Sequence, residues 1–170
     1  MDFLVPEQLE TERLILRTFQ EPDWQDLYAL YCDEEAVRYT VRRALNEDDT
    51  WRVMACFVGH WQIRGYGPYA VESKETGKVM GAIGLWYPNA WPEPEIMWSL
   101  ARPYWGAGYA KEAASAVKEM AHTTLPDIPW ISMTDKNNTN SRRLAESLGA
   151  KLEKELEFKG YPCVMYRHQF

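Results

Sequence analysis

Three cysteines and three histidines in 170 residues remove several kinds of chemistry before any motif is sought. Cys32, Cys56 and Cys163 are odd in number, far apart and without CxxC spacing, so they suggest neither a disulfide framework nor a metal knuckle. They read as packing residues of a protein in a reducing compartment. His60, His122 and His168 fall at neither HxxxH nor HxH spacing, so no metal site is expected. Long apolar runs are missing as well: none approaches 18 residues, and charges and prolines interrupt the opening MDFLVPEQLETER. A soluble, cytoplasmic protein with no membrane partner is expected. A basic excess is also lacking. The 19 Lys and Arg against 25 Asp and Glu leave a net charge of -6, which opposes binding to a phosphate backbone and makes nucleic acid an unexpected partner.

What is present has the size of one domain, residues 1–170. ERLILRT alternates Leu14 and Leu16 against Arg13, Ile15 and Arg17, the period of a strand. Pro22 can open a helix that runs to about Cys32. Asn46 caps a second helix, whose buried stripe is expected at Trp51, Met54, Ala55, Val58 and Trp61, with Gly65 and Gly67 ending it. YAVES and KVMGAIGLWY flank a turn and read as a hairpin, and Gly81 and Gly84 mark a bulge or a close backbone approach. EIMWSLA follows, and Arg102 before Pro103 is expected to be extended and to end that strand. A long helix then buries Ala110, Ala113, Ala114, Val117, Met120 and Ala121. Trp130 to Asp135 forms a strand, Asn138 to Leu148 a helix closed by Gly149, and residues 151–157 and 162–168 a last strand pair. This order predicts an α+β fold with one mixed sheet of about seven strands and four flanking helices.

The most informative stretch is LARPYWGAGYAKE, Leu100 to Glu112, where a strand ends and a Gly-rich turn opens directly into a helix. Amide N–H groups at a helix start lack intrahelical acceptors, and the helix dipole adds positive charge, so such a turn suits a phosphate. Gly106 and Gly108 let the backbone approach without an intervening Cβ. A Walker loop is excluded because the only GK, Gly77-Lys78, is followed by Val79. A dinucleotide fingerprint is excluded because Lys111 stands where Gly or Ala is required.

These residues resemble the GNAT superfamily of N-acyltransferases, whose cofactor signature is Gln or Arg, two residues, Gly, one residue, then Gly or Ala. Here it reads Trp105, Gly106, Ala107, Gly108, Tyr109, Ala110. Trp105 departs from the usual first residue, but YWGxGYAxEA is similar to the branch of ribosomal-protein N-terminal acetyltransferases. ETERLILR, GYGPYAVESKETGKVMGAIGL and NTNSRRLAESLGAKL extend the resemblance over nearly the whole chain.

The resemblance implies a mostly antiparallel sheet splayed between its fourth and fifth strands, with acetyl-CoA entering the gap. Its pyrophosphate would sit on Trp105 to Ala110, and its pantetheine would pair with the backbone of Trp98, Ser99, Leu100 and Ala101. Asn138 would lie beside the pantetheine and Ser141 near the sulfur. A cap of the last helix, supplied by Asn138 or Asn140, is an equally good reading and is compatible with that contact. Many family members carry a Tyr four residues after the Ser position, where this chain has Ala145, so protonation of the thiolate passes to Ser141, another residue or water.

At the start of its strand and close to Glu93, Glu95 reads as an acid on a solvated strand end, and it also matches a position where the family often places the general base. Glu95→Gln is therefore expected to lower the rate mainly at low pH. Trp91 is expected to face the acceptor. An amine would attack the thioester directly in a ternary complex, its oxyanion met by a backbone N–H near Leu100. Acetylation of a primary amine, with a peptide terminus favoured over a small molecule, competes with two alternatives: a non-catalytic acyl-CoA-binding module and an enzyme for longer acyl groups. Monomer and homodimer both remain open.

Overall fold

The computed structural model describes residues 2–170. The chain forms β1 (Gln8–Glu10), β2 (Leu14–Arg17), α1 (Asp23–Tyr31), α2 (Glu34–Val37), α3 (Glu47–Arg64), β3 (Pro68–Ser73), β4 (Val79–Trp86) and β5 (Glu95–Leu100). A 3-10 turn (Arg102–Tyr104) leads to α4 (Tyr109–Thr124), β6 (Ile131–Asp135), α5 (Thr139–Ser147), β7 (Lys151–Phe158) and β8 (Tyr161–Arg167). The strands make one eight-stranded sheet in the order β1-β2-β3-β4-β5-β6-β8-β7. Every pairing is antiparallel except β5 with β6.

Two elements exceed the sequence expectation. The three-residue β1 is too short to show alternation, and pairing with β2 alone defines it. The single turn α2 is too short for a helical period and is started by Asp33, whose side chain accepts from the Glu35 N–H. Arg102 also differs from the expected extended form. The extended residue is Ala101, with φ -62 and ψ 143, and Arg102 opens the 3-10 turn.

Leu14 and Leu16 are fully buried, as their alternation requires, each stabilising the fold by roughly 1.5–3 kcal/mol. On the same sheet face α4 presents Ala113, Ala114, Val117, Met120 and Ala121, whose small side chains let the helix lie close to Ile83, Leu85, Ile96 and Leu100. The opposite face packs α1 and α3 through Leu27, Leu30, Tyr31, Met54 and Phe57 against Ala70, Val79 and Ala82.

The buried stripe of α3 is rotated from the expected one. Thr50, Met54, Phe57, His60 and Trp61 face inward, whereas Trp51 is 45% and Val58 40% exposed. Both stripes satisfy helical spacing. The observed one wins because the His60 Nδ1 pairs with the Tyr66 carbonyl and its Nε2 accepts from the Tyr87 N–H, while the Trp61 indole donates to the Pro68 carbonyl.

Gly84 packs where an added Cβ would lie 2.5 Å from the Gly67 carbonyl oxygen, and at Gly81 it would lie 2.1 Å from that of Ser99. Both positions are close backbone approaches, so no side chain larger than hydrogen fits without displacing a neighbouring strand. Gly81 thereby sets the position of the last residues of β5.

The fold's defining break lies between β5 and β6. They share one bridge, Glu95 with Ile131, closed by the Ile131 N–H to the Pro94 carbonyl. Beyond it the strands diverge, and the sheet is open along the remainder of β5.

Candidate active site

On the α4 side of this gap, the turn Trp105–Gly108 leads into the helix through two glycines at positive φ, Gly106 at 77° and Gly108 at 82°. The left-handed region favours glycine there, and the space above Gly106 is open. Asp33, Asn46 and Asn138 cap α2, α3 and α5 with side chains, but Gly108 offers none to α4. The amides of Tyr109, Ala110 and Lys111 precede the first helical bond, from the Glu112 N–H to the Gly108 carbonyl, so they remain directed at the turn. That arrangement can hold an anion.

The turn is anchored by residues that sequence reasoning missed. Glu112 accepts from the Thr11 hydroxyl at 2.6 Å, the Arg13 N–H at 2.9 Å and Arg13 Nε at 2.7 Å. Burial raises the Glu112 pKa, but these bonds outweigh it and hold the carboxyl below its usual range. Arg13 then donates to the Ala107 carbonyl at 3.0 Å and lies 4.1 Å over the Tyr109 ring. Arg13 looked only like the polar face of a strand, because the partners that give it this role are about a hundred residues away.

Along the gap, the Pro94 carbonyl faces β6 and the Ile96 carbonyl accepts from the Ser132 hydroxyl of β6 at 2.6 Å. Alternation therefore turns the backbone of Trp98 and Leu100 into the opening and that of Ser99 toward β4. The Ala101 N–H is likewise bound to the Met80 carbonyl. The Leu100 carbonyl accepts from the Trp105 indole at 2.8 Å, which ties the end of β5 to the start of the glycine turn.

Across the gap stands α5. Asn138 is its cap, accepting from the Ser141 N–H at 3.2 Å. The Trp98 indole reaches over the opening and donates to Ser141 Oγ at 2.9 Å. Ala145 is buried beneath, packed with Ala150, Val164, Tyr166 and the same indole.

The other sheet face carries Glu95. Instead of a solvated strand end it is a buried carboxyl, 5% exposed. Its Oε1 accepts from the Trp91 indole at 2.9 Å and its Oε2 from the Met133 N–H at 3.0 Å. Burial pushes its pKa up to about 8, against both hydrogen bonds, which favour the ionised form. A carboxyl so poised can take a proton near neutral pH.

Trp91 is half-buried in edge contact with Trp86 and Phe158, and Trp86 stacks on His60 at 4.7 Å. The loop after α2 closes in from the side through Arg42, which bonds the buried Asp135 at 2.7 Å and lies 3.6 Å over the Tyr161 ring. Burial raises the Asp135 pKa, but bonds from the Asn137 N–H and Arg42 prevail and keep it below the usual carboxylate range.

The cysteines do not share the packing role expected of them. Cys163 is buried, whereas Cys32, just past the end of α1, and Cys56, on α3, are exposed. His60 and His168 are buried inside hydrogen-bonded packing, and His122 stacks on Phe170. Among the described residues no helix is long and apolar enough to cross a membrane.

Residues 13–151 match the family described as Acetyltransferase (GNAT) domain. The uncharacterized N-acetyltransferase p20 of Bacillus licheniformis is 28% identical over 149 residues, spanning 86% of this chain and 84% of p20. An acetyltransferase structure from Agrobacterium tumefaciens superposes with a TM-score of 0.85 at 28% identity, covering 100% of this chain and 98% of that one. Two more distant structures share the fold. RimL, described as a ribosomal L7/L12 alpha-N-protein acetyltransferase, has a TM-score of 0.76 at 16% identity, covering 98% and 93% of the two chains. The microcin C7 self-immunity acetyltransferase MccE, solved with acetyl-CoA and AMP, has a TM-score of 0.80 at 17% identity, covering 98% of each. With the family match spanning most of its length, the chain belongs to the GNAT acetyltransferases and is an N-acetyltransferase.

Proposed function

We propose that the enzyme acetylates a primary amine, a peptide α-amine in preference to a lysine side chain, by direct attack in a ternary complex. The observation that carries this reading is the buried Glu95 carboxyl with its pKa pushed up to about 8. A base is most effective when matched to the proton it removes, and an α-ammonium has a pKa of roughly 7.7–8.0 against about 10.4 for Lys. At pH 7 roughly 10–17% of an α-amine is already neutral, compared with about 0.04% of a lysine. Glu95 therefore suits an α-amine without further tuning of the acceptor.

The residues present fit acetyl-CoA. The uncapped start of α4, with open space over Gly106, suits its pyrophosphate, and the Trp105 to Ala110 segment would hold it. The backbone of Trp98 and the Leu100 N–H, turned into the gap, would meet the pantetheine and the oxyanion. The side chain of Ser99 would contribute a wall, since its backbone is turned to β4, whereas Ala101 is buried in the core beneath α1 and α3 with its N–H on Met80 and is not placed to touch the cofactor. Asn138 would act through the cap it gives α5, and Trp91 would line the acceptor side while holding Glu95. The cofactor supplies an activated acetyl thioester. The chain's own part is to align the amine, accept its proton at Glu95 directly or through water, and exclude competing water.

CoA release is to be compared for short peptides with free and blocked termini, with and without lysine, against polyamines and aminoglycosides. Higher kcat/KM for free termini is expected. Turnover confined to lysine or to a small amine would refute the α-amine preference, and CoA binding without turnover on any amine would favour a binding module.

A further inference from the structure

We propose that Trp98 is a positioning residue for the thiol-leaving step, acting through Ser141. This rests on the acetyl-transfer reading above. Trp98 shares the sheet face of Ile96 and Leu100, where β5 has parted from β6, and its indole crosses the gap to donate to Ser141 Oγ at 2.9 Å. The direction of that bond is fixed, because an indole nitrogen is only a donor. Ser141 thus receives on one lone pair, and among the described residues its own hydrogen goes to no protein acceptor.

Two further contacts hold the pair in register. The Ser141 N–H is bound to the Asn138 side chain, which fixes the serine at the first turn of α5. Ala145, one turn later on the same helix face, is buried and offers only a methyl, which leaves the volume that the indole fills against Val164 and Tyr166. A larger side chain at Ala145 would occupy the indole's place. The small residue and the hydrogen-bonded tryptophan therefore form one arrangement.

The chemistry follows from proton affinities. As the amine nitrogen bonds to the acyl carbon and the C–S bond breaks, the electron pair goes to sulfur and the ammonium proton to Glu95 or its water. A thiol is far more acidic than an alcohol, a cysteine side chain having a pKa of roughly 8.5, so the departing thiolate does not require a strong acid. A directed hydroxyl hydrogen bond to sulfur is sufficient, and the thiolate later takes its proton from solvent. An indole N–H donating to the same hydroxyl polarises it and strengthens the bond it gives.

The test is a double-mutant cycle of Trp98→Phe and Ser141→Ala with three readouts. Trp98→Phe is expected to lower kcat about fivefold, the size of one modest hydrogen bond, with the amine KM within about twofold. In the Ser141→Ala background the same substitution should cost nothing further. The thiol pKa of bound CoA, read from thiolate ultraviolet absorbance, should be lowest in wild type, highest in Ser141→Ala and intermediate in Trp98→Phe. In the ligand-free protein the Trp98 indole N–H resonance should move in Ser141→Ala, a readout that survives if Trp98→Phe does not fold. Equal loss from Trp98→Phe in both backgrounds, or an indole resonance indifferent to Ser141→Ala, would overturn the pairing while leaving the acetyltransferase site intact. Failure of the wild type to bind CoA would overturn the site and the pairing together.

Discussion

The Trp91 indole N–H donates to Glu95 Oε1 at 2.9 Å from the loop before β5, while the second carboxyl oxygen is held by the Met133 N–H of β6. One carboxyl thus joins a loop to the strand across the gap, at the end where β5 and β6 still touch. Its protonation is set by a contest between burial, which raises its pKa, and these two donors, which lower it.

Trp91→Phe should therefore raise the Glu95 pKa, because it removes a donor that favours the ionised form. A hydrogen bond to a charged group is worth about 1.5–3 kcal/mol, so a shift of about one to two units is expected. The limb of the pH profile of kcat/KM that belongs to Glu95 should move to higher pH. An unmoved limb would show that Trp91 does not set the carboxyl's ionisation.

Burial also reverses the pH range expected for Glu95→Gln. With a pKa of about 8 the carboxyl is protonated at low pH, where neither protein has a base, so the loss should appear mainly above pH 8. A deficit of about 100-fold at pH 9 and less than about threefold at pH 6 is expected, measured as the ratio of rates at each pH. A constant ratio across pH would exclude Glu95 as the base.

His168 should make stability fall in acid. Its ring pairs with Ser132 at 2.8 Å, its Nδ1 is buried without a partner, and burial, aided by Lys118 and Arg167, lowers its pKa to about 4. The unfolded chain takes up this proton near pH 6.5 and the folded chain only near 4. The contribution is therefore complete above about 6.5 and is lost as pH falls toward 4, to a limit of roughly 3 kcal/mol. Tm measured between pH 4 and 7 should fall less steeply in His168→Gln than in wild type, and parallel curves would contradict the assignment.

CoA should raise Tm through the turn before α4, and Gly108→Glu should abolish that shift. The substitution puts an acid where an anion is expected and a side chain at φ 82°. Gly108→Ala separates the two effects, since it carries the backbone strain without the charge. It should retain a reduced thermal shift. A full shift in Gly108→Glu would remove the pyrophosphate from this turn.

Periodicity and turn chemistry made much of the fold legible in the sequence. Leu14 and Leu16, the alanine face of α4, the glycine approaches in β4 and the caps Asn46 and Asn138 are local patterns whose meaning does not depend on distant residues. The glycine turn belongs with them, because a helix start without a cap is a property of consecutive residues.

Tertiary structure decided what depended on partners far along the chain. It chose the inward face of α3 through His60 and Trp61, where helical spacing alone allowed two. It converted Glu95 from a strand-end acid into a buried carboxyl by bringing Met133 and Trp91 to it, and it set Arg13 and Glu112 behind the glycine turn. Trp98 and Ser141, 43 residues apart, meet only because β5 and β6 part beyond Glu95. Local patterns specify elements, but burial and ionisation arise from neighbours that only the folded chain supplies, and those properties determine the chemistry of the site.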